Sequence, residues 1–427
     1  MRGSRAIIPC LAALAITLAA QLEIARPAAV FSGQVSNTQP KSVGDRTVLY
    51  AGVGDELMHY DVDTQIGSLT RRGSITVPGV IQEAWPHPSK KFLYVAWSNP
   101  SENRYGVSAY RVNPATGALT VHGQPAVLPS RPIYITTDVD GTHVITAHNY
   151  PSGLTVHRIL PDGTVGEEVK QTSELDFGSY GHQVRMDPSD QIVVLVTRGN
   201  APTATTPEDP GAIKLFSYKN GILANRQTVA PNGGFGYQVR HLEFHPSGKW
   251  DFATLERQNK LHVYRRSANG MLSEAPIFCK DTVADPSKAL NQAASSIHVH
   301  PNGRFIYVAN RASGTVEFQG SRVFAGGENS IAVFSINQET GEPTLIQNAD
   351  TRGFQPRTFA LDESGSILAV ANQSPGLVRE ESEVKTIPAS LTLFRIRSDG
   401  KLEFTHQYDI ETGGGTSLFW AGIVSLP

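Results

Sequence analysis

Six ionisable residues recur at two fixed places in a repeating segment, and their types limit what they can do. His182, Arg240 and Arg357 each stand five residues before a turn that begins with His or Asp, while Arg198, Glu256 and Arg311 each stand eleven residues after the start of one. Four guanidiniums gathered in one place suit an anionic ligand, or a transition state in which charge develops on oxygen. Glu256 is the one carboxylate among them and His182 the one group that titrates near neutrality, so either could carry a proton. The alternative is structural: Glu256 simply neutralises Arg240 or Arg311 in a buried pair. Charges placed beside apolar strands need partners or a purpose.

These residues belong to two complete columns, aligned on the turn residues His87, Asp138, Asp187, His245, His300 and Asp362. Gln82, Ile133, His182, Arg240, Ser295 and Arg357 precede the turns; Ser98, Asn149, Arg198, Glu256, Arg311 and Gln373 follow them. The repeat that carries the columns is read most clearly in HPSKKFLYVAWSN (87–99), HPSGKWDFATLERQN (245–259) and HPNGRFIYVANRAS (300–313). Weaker copies start at Asp138, Asp187 and Asp362, and a partial copy, TVLYAGVGDE, starts at Thr47. Each full unit reads as apolar strand, H/D-P-x-G turn, apolar strand, loop, alternating strand, Gly turn and outer strand. Four short antiparallel strands in ~40–50 residues make one blade of a propeller. The second strands give an expected count of seven blades. The chain enters at a second strand, so the missing first strand must come from SLFWAGIVSLP at the C-terminus, which closes the ring and leaves no inner edge unpaired. The fold class expected is therefore all-β, a seven-bladed β-propeller over residues 46–427. Equivalent positions then form rings about the axis, and the two columns line one end of the central channel.

The whole composition agrees. The chain has 427 residues, of which 40% are apolar, enough for a large core and too many for disorder. A net charge of -2 gives no electrostatic reason to bind nucleic acid or an anionic membrane. Two cysteines, Cys10 and Cys279, cannot make a disulfide framework or a multi-thiolate metal site. Arg2 and Arg5 ahead of the apolar run 6–20 read as a signal peptide over residues 1–20, too short to span a membrane. Residues 21–45 read as a flexible lead-in. The expectation is an exported, periplasmic protein that is soluble after cleavage and monomeric.

The long insertions at 200–211, 313–329 and 374–390 follow second strands and that at 278–294 precedes a first strand, which puts all four on the face that holds the two columns. Insertions crowded on one face mark a binding side. His87, His245 and His300 fall on the opposite face, where a turn-bracing hydrogen bond accounts for them. No H-E-x-x-H, P-loop, paired-cysteine or G-x-S-x-G motif occurs, so neither a metal nor a cofactor is expected.

SYGHQVRMDPS, QVRHLEFHPSGKW, ATLERQNKLHVY, HPNGRFIYVANR, NSIAVFSI and QPRTFALDESG together resemble the seven-bladed propeller lactonases, which include the bacterial 6-phosphogluconolactonases. The chain is also similar to the fungal carboxy-muconate cyclases built on the same propeller. The resemblance implies catalytic roles for His182, Arg240, Glu256 and Arg311, and the columns add Asn149, Arg198, Arg357 and Gln373 as substrate contacts. It implies hydrolysis of a sugar-derived lactone, with an anionic or lactone small molecule as partner. An exported enzyme would meet an unphosphorylated aldonolactone more readily than a cytosolic phosphosugar. A muconate-type cycloisomerase and a non-catalytic binding propeller remain the alternatives.

Overall fold

The computed structural model describes residues 46–288 and 291–426; the expected signal peptide and lead-in lie outside them. Seven four-stranded antiparallel sheets follow one another around an axis, as the repeat requires. The first blade is made by Thr47–Val53, Glu56–Asp63 and Ser68–Thr76, and its inner strand is the C-terminal Leu418–Ser425. Val48 pairs with Val424 and Gly52 with Trp420, so the two ends of the chain close the ring. The inner strands of the second to seventh blades are Val80–Pro86, Pro132–Thr137, Gly181–Met186, Val239–Phe244, Gln292–Val299 and Phe354–Leu361.

Strands sandwiched between neighbouring blades are apolar on both faces because both faces are covered. Ile192–Thr197 and Trp250–Leu255, the second strands of the fourth and fifth blades, are buried along their whole length. The core is accordingly not one mass but seven wedges, one at each blade junction. Leu49 and Ala51 of the first blade pack with Ile367 and Leu391 of the seventh, so the closing junction is built like the others.

Polar ties repeat across the junctions. Nε2 of His87, His245 and His300 meets the carbonyl of Gly141, Gly303 and Gly365 in the next blade, at 3.0, 2.8 and 3.0 Å. Gly141 has φ +69°, and a Cβ there would lie 2.4 Å from His87 Nε2, so both the turn and the contact require glycine. These histidines brace turns, as their position in the repeat implies.

Two of the insertions fold into hairpins, Thr315–Phe318 with Ser321–Phe324 and Gly376–Glu380 with Glu383–Ile387, which pack on each other. The segment 278–294 is not simply an insertion. Phe278–Asp281 is the outer strand of the fifth blade and Gln292 already belongs to the next inner strand, which leaves a shorter loop between. Among the described residues no helix is long and apolar enough to cross a membrane.

Candidate active site

Every inner strand breaks its ladder at the same place. In the second to fifth blades the pairing skips Gln82, Ile133, His182 and Arg240; in the sixth it skips Ser295 and Ser296, and in the seventh Arg357. The first blade skips Phe419. A bulge inserts one residue that does not follow the pleat and re-aims its side chain. The first column of the sequence is thus a ring of bulges, and its seventh member is Phe419.

Left-handed residues set up three of these bulges. Tyr180, Gln238 and Gln355 have φ of +58°, +42° and +57°, each two residues before a bulged His182, Arg240 or Arg357. The carbonyls of Tyr180 and Gln238 accept the backbone N–H of Arg198 and Glu256 at 2.9 and 3.0 Å, which ties the second column to the first. Non-glycine residues in this region cost of order 1–3 kcal/mol each and persist where the surroundings fix them. The Tyr180 ring also lies under the Arg198 guanidinium, 4.3 Å away.

Glu256 is the hub. Its Oε2 accepts from Arg198 Nη1 at 2.8 Å and its Oε1 from Arg311 Nη2 at 2.6 Å, with Arg240 Nε 3.3 Å from Oε1. Burial would raise its carboxyl, but the charges of Arg240, Arg311 and Arg198, with the bond from Arg198, hold it at about 2. Glu256 is therefore a permanent anion at neutral pH, and three guanidiniums against one carboxylate leave the cluster positive.

His182 has the complementary character. It is buried, its Nδ1 has no partner, and its ring centroid lies 5.2 Å from that of His241. Burial first, then the charges of Arg240, His241, Arg357 and Arg198, lower its proton affinity well below the usual histidine range. It stands neutral beside the cluster. Of the two groups that the sequence leaves open as proton carriers, Glu256 has both oxygens taken by guanidiniums, whereas the Nδ1 of His182 makes no hydrogen bond.

Asn149 and Gln373 each turn one amide donor to the protein. Asn149 Nδ2 donates to the Gly181 carbonyl at 3.2 Å, beside His182, and Gln373 Nε2 donates to Ser417 Oγ at 3.4 Å. Arg357 faces the ring from the seventh blade, its guanidinium 3.8 Å above the centre of Phe419. Among the described residues no group of three or more His, Cys, Asp and Glu is arranged to hold a metal.

Deeper in the channel lies a cavity of about 330 Å³ lined by Glu83, Tyr134, His241, His298, Thr358 and Trp420, which runs toward Pro86, Pro301 and Asp362 at the turn face. Burial pushes the Glu83 carboxyl up to about 8, against the opposing charge of Arg357. Glu83, His241 and Phe419 lie outside the reading by columns. Extending the first column to the C-terminal strand would have found Phe419; Glu83 and His241 follow bulge residues directly and carry no separate signal.

A family model described as lactonase, seven-bladed β-propeller, matches residues 43–380. A 6-phosphogluconolactonase from Bacillus subtilis is 28% identical over 295 residues, covering 67% of this chain and 76% of that protein. One from Pectobacterium carotovorum is 28% identical over 311 residues, covering 72% and 82%. The solved structure of a periplasmic gluconolactonase from Pseudomonas aeruginosa superposes with a TM-score of 0.65 at 18% identity, covering 90% of this chain and all of that one, a likeness of fold.

Proposed function

The chain belongs to the seven-bladed β-propeller lactonase family, and from that membership and the geometry of the mouth we propose that it hydrolyses a sugar-derived lactone to the open-chain acid. The observation that carries this reading is the pairing of a neutral, unbonded, buried His182 with a cluster whose positive charges exceed its negative one. Ester hydrolysis needs both: a base to take a proton from water, and fixed donors where the carbonyl oxygen becomes an anion.

The roles follow. His182 accepts a proton as water oxygen attacks the ester carbonyl carbon. Arg240 and Arg311 stabilise the tetrahedral oxyanion, in a mouth where burial strengthens the attraction. When the ring C–O bond breaks, the imidazolium returns its proton to the departing alkoxide. Glu256 keeps its charge throughout and aims the guanidiniums, so it is a positioning residue. Asn149 holds the strand that presents His182, and Arg198, Arg357 and Gln373 line the approach of the substrate. Each assisted step is worth ~10²–10⁴-fold for proton transfer and ~10²–10³-fold for an oxyanion donor. We further read residues 1–20 as an export signal, from Arg2, Arg5 and the apolar run behind them.

Turnover of an aldonolactone in ¹⁸O-labelled water tests the reaction type. The proposed attack puts one labelled oxygen into the carboxylate of the product. Interconversion without label, as a cycloisomerase gives, would overturn it.

A further inference from the structure

The cavity below the mouth takes no part in the hydrolytic roles above, and its wall has a chemistry of its own. Its volume of about 330 Å³ lies at the lower end of the range for small-molecule sites. Trp85, Tyr134, Phe359 and Trp420 supply four rings, and Ile297, Leu361 and Ile423 add aliphatic surface. Three carboxyls, those of Glu83, Asp362 and Glu363, also line it, and no lysine or arginine does. The mouth is basic; this wall is aromatic and acidic.

Two of the three carboxyls are already answered. Asp362 Oδ1 accepts the backbone N–H of Ser366 and Ile367 at 2.7 and 2.6 Å, and Glu363 meets Lys90 Nζ at 2.6 Å. Beside His298, Glu243 is matched by Arg185 through two bonds of 2.8 Å, and that guanidinium rests 5.3 Å from the Trp85 ring centre. Glu83 is different. It is buried, its carboxyl takes the indole N–H of Trp420, and Arg357 and Arg240 act on it only through charge, from the ring of bulges at the mouth. Burial raises it to about 8, so at neutral pH it is mostly the uncharged acid.

The cavity also has its own way in. Pro301 and Glu363, both exposed, stand where it meets the turn face, the end of the channel away from the long insertions. Toward the mouth it ends at His241, whose ring lies 5.2 Å from that of His182 and 5.5 Å from that of Tyr134. Burial, then Arg240 and Arg357, hold His241 well below the usual histidine range, so it adds no positive charge to the wall.

We propose that this cavity is a second binding site, which takes a small hydrophobic amine from the turn face, its ammonium on Glu83 and its apolar body among Trp85, Tyr134, Phe359 and Trp420. A cation gains twice there, from ring faces and from a carboxylate in a dry surrounding. Its approach favours the ionised form of Glu83, which gives its proton to solvent as the amine binds. A neutral ligand of the same shape gains only the apolar contacts. The proposal does not depend on the reaction at the mouth.

Calorimetric titration of the full chain with 2-phenylethylamine and with 2-phenylethanol compares a cation with a neutral ligand of its shape. The amine should bind ~10–100-fold more tightly, the worth of one hydrogen bond to a charged group. Glu83→Gln keeps the shape of the protonated acid and an acceptor for Trp420, and should abolish that preference by weakening the amine alone. Ala360→Phe fills the cavity from the wall of the seventh blade and should weaken both probes at least ~10-fold. No amine binding, equal affinity for the two probes, a preference that survives Glu83→Gln, or binding unchanged by Ala360→Phe overturns the proposal. Should either variant fail to fold, the other decides together with the wild-type preference. Lactone hydrolysis measured on the same preparations keeps the two readings apart: a selective amine site upholds the proposal whether or not the chain turns lactones over.

Discussion

Replacing Glu256 with Gln removes one charge and almost no volume, and the structure sets the size of the response. The carboxylate lies with only 11% of its side chain exposed and meets three guanidiniums at 2.8, 2.6 and 3.3 Å. Gln keeps one acceptor oxygen but turns an NH₂ donor toward a guanidinium, so at least one cation faces a donor. Breaking a buried charge cluster by deleting one partner costs about 3–5 kcal/mol. For a chain of this size, with unfolding entropy near ~2 cal/mol/K per residue, that lowers Tm by ~4–6 °C. The uncompensated guanidiniums should then bind anions more tightly than the wild-type cluster does. Phosphate at ~100 times its Kd would restore ~2.7 kcal/mol, about half the loss or more, and would stabilise the wild-type chain less. Turnover should fall ~10²–10³-fold, because Arg240 and Arg311 lose their aim at the oxyanion. Thermal unfolding followed by circular dichroism, with and without excess phosphate, is read beside lactone kinetics on the same preparations. A variant with wild-type Tm and no added response to phosphate refutes the cage. A destabilised variant with normal kcat refutes its connection to the chemistry.

Removing residues 418–427 deletes the closing strand with buried Leu418, Trp420, Ala421, Val424 and Leu426. At ~1.5–3 kcal/mol for each large side chain this approaches the ~5–15 kcal/mol that holds a whole domain, so the truncated chain should show no cooperative unfolding transition. His300→Asn should lower stability by ~1–2 kcal/mol, through the bond to Gly365 at 3.0 Å, and leave turnover within twofold, checked by melting and steady-state rates on one sample. Stability should peak near pH ~6.5. Above it the folded chain binds the extra protons, because burial raises Glu83 to about 8 and Asp251 to about 7, so stability falls as pH rises toward 8. Below it the unfolded chain binds more, because burial lowers His148 and His262 to about 4 and His182 and His241 also lie well below their usual range. Four histidines outweigh two carboxyls there, and urea midpoints across the pH range should trace the maximum.

The fold was legible because a propeller repeats one unit. Turns that open with His or Asp and apolar second strands mark the second to seventh blades, and the partial copy at Thr47 forces SLFWAGIVSLP to close beside it. The candidate site was legible in part for the same reason: register alone brought His182, Arg240, Glu256 and Arg311 to one end of the channel, and bulges at that register explain why His182 and Arg240 leave the pleat. What register could not reveal is which charges meet. Three arginines converge on Glu256 while Arg357 stacks on Phe419, a distinction that depends on rotamers and neighbouring blades. Tyr180 carried no signal, since a left-handed tyrosine is set by its surroundings and not by its own preference.

The central claim is that His182, neutral beside the Glu256 cluster, activates water against a lactone. Its most direct test is the pH dependence of proton release, followed by pH-stat titration, when the full chain and its His182→Asn variant meet an aldonolactone. The wild-type chain should accelerate ring opening, with a rate that holds at neutral pH and falls only below the ordinary histidine range of ~6.5, because burial and the neighbouring arginines lower that proton affinity. The variant should lose ~10²–10⁴-fold in kcat together with that acid limb. Equal rates in the two proteins, or an acid limb that survives the substitution, would contradict the account.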